Sequence, residues 1–371
     1  MRDFQQPGRS TVHAANGMCA TSHPLAAATA LDVLKQGGTA ADAALAGAVL
    51  LGLCEPQMTG LGGDLFALVS PGPGADVVAL NASGRAPAAL SADALRGAGH
   101  AAMPVDAPES VTIPGAVDGL CALADRFGRL GLDTVLAPAI RYAEEGVPVA
   151  PRVAFDWARA TDRLQGPARE LYLSGGAAPT PGTPFRAPGQ AEVLRRIARD
   201  GRAAFYTGEV AEDMRAALSG GPHRAGDFAA NAPDWGTPIA GRYGDWEVLE
   251  HPPNGQGTAA LLLLDILSEF DLAALDPRGA DRAHLEAEAT KLAYDARNRF
   301  VADPAQMDDP GRLQRAGLGG ALAARIDPAR AMADPRRQAG EVHRDTVYIT
   351  VVDRDRMAVS LIYSIFHSFG S

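Results

Sequence analysis

The sequence predicts a layered α+β fold rather than a doubly wound parallel sheet. Stretches with a helical apolar period bracket stretches that alternate like strands, without the regular strand–helix alternation that builds parallel sheets. The chain has 371 residues, enough for one large domain or two ordinary ones, and 47% of them are hydrophobic, as in globular proteins. We therefore expect a folded, soluble protein with a substantial core.

Two helices are predicted between residues 23 and 56. Pro24 suits a first helical turn, and the helical period continues until the glycine pair at 37–38 ends it. Thr39 can cap the second helix, and Asp42 in the first turn interacts favourably with the helix dipole. The second helix is rich in Ala and Gly, so another element can approach it closely.

A glycine-rich turn, "GLGGD", leads into a strand within 60–70, and a partner strand is predicted at 75–83. Periodicity predicts further helices at 115–128, 134–146, 190–200, 258–270 and 282–301, and a strand at 242–252. The stretch 303–343 is polar and rich in Pro, Asp and Arg, so we expect a loose surface segment. It leads to a final hairpin, in which "TVYITVVD" (346–353) and "AVSLIYSI" flank an "RDRM" turn.

Composition argues against several classes of function. The formal net charge of −10, without a segregated basic patch, argues against binding to nucleic acid or to an anionic membrane surface. The first residues lack the apolar core of a secretory signal, and the most apolar run, 43–54, is too short to span a bilayer. We expect a cytoplasmic protein without a membrane segment.

Metal and nucleotide sites are not predicted either. The three cysteines and eight histidines have neither the spacing of metal ligands nor that of a disulfide framework. "GLGGD" lacks the Gly-Lys-Ser/Thr end of a phosphate loop, and "HRD" at 343–345 stands without the other motifs of a protein kinase. We therefore expect no metal and no cofactor.

Thr346 is the residue to which chemistry is assigned, although a strand Thr is by itself usually only a β-branched strand former. It begins a strand directly after a polar segment. If the Asp345–Thr346 bond breaks, the new α-amine lies beside the Thr346 hydroxyl, so one residue supplies base and nucleophile. An α-amine titrates at about 7.7–8.0, which leaves a useful neutral fraction at working pH. Asp345–Thr346 is the candidate self-cleavage site.

Long segments of the chain resemble the γ-glutamyltransferase family of N-terminal-nucleophile hydrolases, in the family's order. They are "GMCATSHPLAAATALDVLKQGGTAADAALAGAVLLGLCEPQMTGLGGDLFALV" (17–69), "SVTIPGAVDGLCALADRFGRLGLDTVLAPAIRYAEEGVPV" (110–149), "GRAAFYTGEVAEDM" (201–214), "HPPNGQGTAALLLLDIL" (251–267), "EAEATKLAYDARNRFVADP" (286–304) and the terminal hairpin. The resemblance therefore extends along nearly the whole chain.

The resemblance implies a four-layer αββα sandwich made as one precursor that cuts itself. Residues 1–345 would be the large subunit and 346–371 the start of the small subunit. Thr346 would take the acyl group of a γ-glutamyl amide such as glutathione and pass it to water or an amine, without a cofactor. The partners would be a small-molecule amide, the chain's own small subunit and a second processed unit in a homodimer, with neither nucleic acid nor membrane.

Two departures from the family pattern concern the substrate pocket. Aligning Ala86–Pro87 puts Ser83 where the family has an arginine that binds the donor's α-carboxylate. Arg85 lies two residues later, so in an extended strand it would point to the same side and could substitute. Ser364 aligns with a Thr that supports the nucleophile, and Phe366 aligns with an Asn that contacts substrate.

The glycine-rich loop, with Gly60, Gly62 and Gly63, would line the substrate pocket beside these residues. A third departure is length, because family members continue through most of the small subunit, so we expect a chain truncated at its C-terminus. Three hypotheses stay open: a divergent amidohydrolase of the oxamate amidase or cephalosporin/glutaryl acylase type, γ-glutamyl transfer from glutathione, and a non-catalytic fragment.

Overall fold

The computed structural model describes residues 12–332 and 346–370. The α-helices of these residues are α1 (Pro24–Lys35), α2 (Ala40–Cys54), α3 (Ala92–Gly97), α4 (Ala116–Phe127), α5 (Leu132–Glu145), α6 (Pro151–Arg159), α7 (Pro167–Tyr172), α8 (Pro188–Asp200), α9 (Ala203–Tyr206), α10 (Glu209–Ala217), α11 (Ala225–Ala230), α12 (Gly257–Leu267), α13 (Ala280–Phe300) and α14 (Leu318–Ala323). The β-strands are β1 (Gly17–Thr21), β2 (Asp64–Ser70), β3 (Val78–Ala82), β4 (Val147–Pro148), β5 (Pro184–Phe185), β6 (Asp234–Gly236), β7 (Ile239–Tyr243), β8 (Trp246–Glu250), β9 (Thr346–Asp353) and β10 (Ala358–Ser364). The mixed α+β class predicted from the sequence is confirmed.

The main sheet has six strands in the order β1-β9-β10-β2-β3-β6, and every neighbouring pair is antiparallel. The final hairpin, β9–β10, lies in the middle of this sheet, because β9 pairs with β1 and β10 pairs with β2. Its residues are therefore held by elements from the first fifth of the chain. The two-residue alternation predicted for the hairpin sorts its side chains between two faces.

One face of the sheet is buried under helices, and the other is partly open. Val347, Ile349 and Val351 of β9 are at most 1% exposed, and α2 packs against them. Tyr348 of β9 and Ile362 of β10 lie on the opposite face and are 49% and 40% exposed. Among the described residues, the strands outside the main sheet form only the short pairs β4–β5 and β7–β8.

Helix α2 is buried along its whole length. The predicted cap is present: Thr39 Oγ1 accepts the Asp42 N–H, and the Asp42 carboxylate accepts the Thr39 N–H at 2.9 Å. The same carboxylate accepts the N–H groups of Arg129 and Leu130, which follow α4. A Cβ on Gly47 would lie 2.5 Å from Cδ1 of Ile349, so the missing side chain lets β9 approach the helix.

Several features differ from the sequence-based expectation. The single strand predicted at 242–252 is the end of β7, a turn and β8. Strand β1 was not predicted, because five residues that pair only with β9 leave little local pattern. Part of the expected loose segment 303–343 is the helix α14, whose Gly319 N–H donates to Asp265 of α12 at 3.0 Å. This helix joins a second apolar core between α12 and α13, whereas 333–345 lie outside the described residues.

No helix in the described ranges combines the length and apolar character needed to cross a bilayer.

Asp353 joins the terminal hairpin to the start of α2. Its Oδ2 accepts the N–H of Ala40 at 2.9 Å, and its Oδ1 accepts the N–H groups of Asp355 and Met357 at 2.9 and 3.0 Å. The residue is only 4% exposed. The carboxylate thus satisfies donors from both the hairpin turn and the helix N-terminus, where water has little access.

Replacing Asp353 with Ala should lower the free energy of unfolding by about 2–4 kcal/mol, because three donors lose a buried, charged acceptor. Asp355→Ala is the matched control, since its carboxylate is 65% exposed and faces Arg129 at 3.6 Å, an arrangement worth under about 1 kcal/mol. Urea unfolding followed by circular dichroism measures both variants. Equal losses in the two would contradict a joining role for Asp353.

Candidate active site

Thr346 and Ser364 face each other at one end of the terminal hairpin. Thr346 begins β9, Ser364 ends β10, and the two are directly paired in the register. Their hydroxyl oxygens, Oγ1 and Oγ, are 3.0 Å apart. The structure therefore puts the predicted nucleophile in hydrogen-bond contact with the residue predicted to support it.

Phe366 contributes its backbone to this pair. Its N–H donates to Ser364 Oγ at 3.1 Å, and its φ of 68° lies in the left-handed region that aromatic residues rarely adopt. The ring is 69% exposed. A hydroxyl that already accepts one N–H is held in orientation, so the turn at Phe366 fixes Ser364 beside Thr346. Contact between the Phe366 ring and a substrate stays a prediction.

The glycine-rich loop packs directly against the end of β10. The Gly63 N–H donates to the Gly60 carbonyl at 3.0 Å, closing the turn. A Cβ on Gly63 would lie 1.9 Å from the Ser364 carbonyl oxygen, whereas one on Gly60 or Gly62 would meet nothing within 4 Å. Gly63 is therefore required for close backbone approach to Ser364. A role of Gly60, Gly62 and Gly63 in lining a substrate pocket stays a prediction.

Asp64 follows this loop and was not predicted as a site residue. It lies opposite Ser364 in the β2–β10 register, and burial raises the pKa of its carboxyl to about 7. Burial, and then the nearby Asp64 charge, raise the pKa of the neighbouring Tyr363 hydroxyl. The signal in the sequence was an acidic residue at the first position of an apolar strand, immediately after two glycines.

Ser83 and Arg85 lie in a separate cleft of about 340 Å³. Other polar residues that line it are Asn81, Asp234, His251, Asn254 and Asp303. The predicted strand geometry of these two residues is wrong, because β3 ends at Ala82 and Gly84 has a φ of +76°, which breaks the alternation. Both side chains nevertheless border the same cleft.

The polar groups of this cleft are paired with one another. Arg85 Nη2 donates to Asp234 Oδ2 at 2.6 Å, and Arg85 Nη1 lies 3.9 Å from Asp303 Oδ2. Ser83 Oγ accepts the Asn254 amide at 3.1 Å. Counting one guanidinium and two carboxylates, +1 and −2, the cluster carries a charge of −1. Burial lowers the pKa of His251, which favours its neutral form.

The cleft and the Thr346–Ser364 pair are neighbours but do not coincide. Thr346, Ser364 and Asp64 are opposite one another on three adjacent strands. The next pair along, Leu65 with Ala82, puts Ser83 beside Asp64 at the end of the same row. Three strand spacings of about 4.8 Å put Ser83 roughly 14 Å from Thr346. Residue 345, on the other side of the predicted cleavage site, lies outside the described residues. Within residues 12–332 and 346–370, no group of three or more His, Cys, Asp or Glu is arranged to hold a metal.

Gly63→Ala should slow any chemistry at Thr346 by at least about tenfold, because its Cβ would push the Ser364 backbone away from Thr346. Gly62→Ala is the control, since space is open at that position. Self-cleavage and amide turnover should both be measured, with thermal unfolding to confirm folding. Equal rates for the two variants would mean that the close contact at Gly63 does not position Ser364.

Comparison with known proteins gives matches along nearly the whole chain. The family profile described as Gamma-glutamyltranspeptidase matches residues 26–371. The chain is 34% identical over 364 residues to the "Glutathione hydrolase-like YwrD proenzyme" of Bacillus subtilis (strain 168), covering 95% of this chain and 67% of that protein. It is 35% identical over 367 residues to the "Oxamate amidohydrolase proenzyme" of Klebsiella pneumoniae subsp. pneumoniae, covering 96% and 68%. This chain thus spans about two thirds of the length of both relatives.

Solved structures agree with these sequence matches. The cephalosporin acylase from Bacillus halodurans superposes with a TM-score of 0.89 and 37% identity, covering 100% of this chain and 70% of that chain. The Helicobacter pylori gamma-glutamyltranspeptidase superposes with a TM-score of 0.80 and 25% identity, covering 91% of this chain and 100% of that chain.

Proposed function

This chain belongs to the gamma-glutamyltranspeptidase family, and we propose that it is an amide-bond hydrolase or acyltransferase with Thr346 as nucleophile. The observation that carries this proposal is the 3.0 Å contact between Thr346 Oγ1 and Ser364 Oγ at the start of β9. The strand is rigid there, because its other face is buried against α2. A nucleophile needs a fixed position and a partner for its hydroxyl, and both are present.

Self-cleavage at Asp345–Thr346 is part of the proposal. Relatives named as proenzymes support it, and so does the place of Thr346 at the first position of a central strand. The large subunit would be residues 1–345, and the small subunit would begin at Thr346. The freed α-amine would then take the proton of Thr346 Oγ1 as that oxygen attacks the substrate's amide carbon.

Ser364 would support Thr346 in the mature site. Its Oγ accepts the Phe366 N–H, and its own proton can be donated to Thr346 Oγ1 as negative charge develops there. The acyl group would stay on Thr346 as an ester while the leaving amine departs with the proton from the α-amine. Water, or an acceptor amine, would then attack the ester and restore the hydroxyl.

For the substrate, we propose a small amide related to those of the named amidohydrolase and acylase relatives. The charge distribution of the neighbouring cleft supports this over a γ-glutamyl amide. Arg85 is already paired with Asp234, with Asp303 nearby, so the cluster has a charge of −1. A donor α-carboxylate would have to compete with Asp234 for the guanidinium, whereas a neutral acyl chain would not.

The finer architecture is also proposed rather than observed. Exposed Tyr348 and Ile362 on the open face of the main sheet support a second sheet packed there, as in a four-layer αββα sandwich. A cytoplasmic location and a homodimer of processed units stay predictions of the sequence.

Incubation of the purified protein at neutral pH should yield fragments 1–345 and 346–371, the second beginning Thr-Val-Tyr. Thr346→Ala should leave the chain uncut and without amide turnover, because it removes the nucleophilic hydroxyl. Thr346→Ser should cut, and Thr350→Ala, on the same face of β9, is the matched control. Intact mass spectrometry with N-terminal sequencing reads the result. A wild-type chain that neither cuts nor turns over any amide would favour the non-catalytic alternative.

Arg85→Ala should change kcat/KM for a γ-glutamyl anilide by less than about threefold, because the pair with Asp234 is exposed and screened. The rate with a neutral acyl anilide of similar length should be at least equal to that with the γ-glutamyl compound. Steady-state release of the aniline measures both. A loss of a hundredfold or more, confined to the γ-glutamyl substrate, would instead support γ-glutamyl transfer.

A further inference from the structure

The uncut chain lacks the base that the mature site would use. Before cleavage, the nitrogen of Thr346 belongs to the peptide bond with Asp345, and an amide nitrogen does not accept protons at neutral pH. Attack by Thr346 Oγ1 on the Asp345 carbonyl carbon still has to release the hydroxyl proton. Self-cleavage therefore requires a second proton acceptor close to Thr346.

Asp64 lies at the right place in the sheet to be that acceptor. Thr346 pairs with Ser364, and Ser364 pairs with Asp64, so the three form one row across β9, β10 and β2. Directly opposed residues of antiparallel strands project from the same face, with Cβ atoms about 4.5–5.5 Å apart. The close contact between Gly63 and the Ser364 carbonyl holds the start of β2 against this row.

The Ser364 hydroxyl can connect the two ends of the row. A serine hydroxyl accepts two hydrogen bonds and donates one. Ser364 Oγ accepts the Phe366 N–H at 3.1 Å and lies 3.0 Å from Thr346 Oγ1, from which it can accept the second. Asp64 is directly opposite Ser364 in the β2–β10 register, so rotation of the two side chains would bring its carboxylate to the Ser364 proton.

We propose that Asp64 is the proton acceptor for self-cleavage at Asp345–Thr346 and acts through the Ser364 hydroxyl. This inference rests on the proposed function. As Thr346 Oγ1 bonds to the Asp345 carbonyl carbon, its proton moves to Ser364 and the Ser364 proton moves to Asp64. The C–N bond then breaks as Ser364 Oγ gives its proton to the departing nitrogen, which becomes the α-amine, and Ser364 takes back the proton held by Asp64. Water finally hydrolyses the ester, giving the Asp345 carboxyl group and the free Thr346 hydroxyl.

The surroundings of Asp64 suit a group that must first accept and then return a proton. Burial raises its pKa to about 7, so both forms are populated at neutral pH. Tyr363, next to Ser364 on β10, is close enough to interact with the Asp64 charge, and burial raises the pKa of its hydroxyl, which keeps it neutral. Within the described ranges, burial sets the pKa of the Asp64 carboxyl, without a contribution from a cationic side chain.

Asp64→Asn tests the proposal without the complication of unfolding. The pKa of the Asp64 carboxyl is about 7 in the folded protein and about 3.9 in the unfolded chain. Its contribution to the free energy of unfolding is therefore fully present below pH of about 3.9 and is lost as the pH rises through about 7. At pH 8 the ionised carboxylate therefore costs stability, and Asn, which has nearly the same shape, removes that cost. We expect Asp64→Asn to melt at or above the wild-type temperature at pH 8.

The rate of self-cleavage is measured by intact mass spectrometry between pH 5 and 9. The wild-type rate should rise with pH and level off above about 7, whereas Asp64→Asn should cut about a hundredfold more slowly and lose this inflection. Asp64→Glu should retain the inflection. Asp76→Asn, an exposed carboxylate between β2 and β3, is the matched control.

Amide turnover per cleaved molecule, measured alongside, distinguishes an effect on self-cleavage from an effect on the mature site. A folded Asp64→Asn protein that cuts at the wild-type rate with the wild-type pH profile overturns the role of Asp64 alone. A wild-type chain that does not cut at any pH overturns the proposed self-cleavage, and this inference with it.

Discussion

The packing of α2 against the terminal hairpin is the interaction on which the rest of the structure depends. The helix is buried along its whole length, and each of its leucines contributes about 1.5–3 kcal/mol when removed from water. Ala and Gly on the side that faces β9 let the helix and strand come close, as the space at Gly47 beside Ile349 shows. The end of the chain is thereby drawn into the centre of a sheet built from its beginning.

The position of the candidate site follows from that packing. Helix α2 ends at Cys54, and the turn at Gly60–Gly63 begins only six residues later, so the turn is carried by the same buried element that holds β9. Because Gly63 allows backbone contact with Ser364, the loop and the hairpin meet at one end of the sheet. Thr346, the proposed nucleophile, thus lies on a strand packed against α2 and beside a tight turn, which is the kind of support that a reactive hydroxyl requires.

Two neighbouring regions of the candidate site differ in their electrostatics. At Asp64 burial is the dominant effect. It raises the pKa of the carboxyl to about 7, at the position opposite Ser364 in the β2–β10 register. At Arg85 the charges are exposed and paired, so water and Asp234 already compensate the guanidinium. The first region is suited to moving protons, and the second to selecting substrates by charge.

The sequence by itself determined the features that depend on residues a few positions apart. The Thr39–Asp42 cap, the end of α1 at its glycine pair and the alternation of β9 follow from local propensity and period. The place of Thr346 at the start of a strand indicated a nucleophile, and resemblance to a family added Ser364. The two residues are only 18 positions apart, so a short hairpin brings them together.

Only the tertiary structure decided the contacts between distant parts of the chain. Asp353 accepts the Ala40 N–H across 313 positions, β1 pairs with β9, and Gly63 contacts Ser364. The backbone turns away from the strand direction at Gly84, and Arg85 then pairs with Asp234, a contact that no local pattern indicates. The raised pKa of Asp64 is likewise absent from the sequence, because desolvation depends on what surrounds a carboxyl in space rather than along the chain.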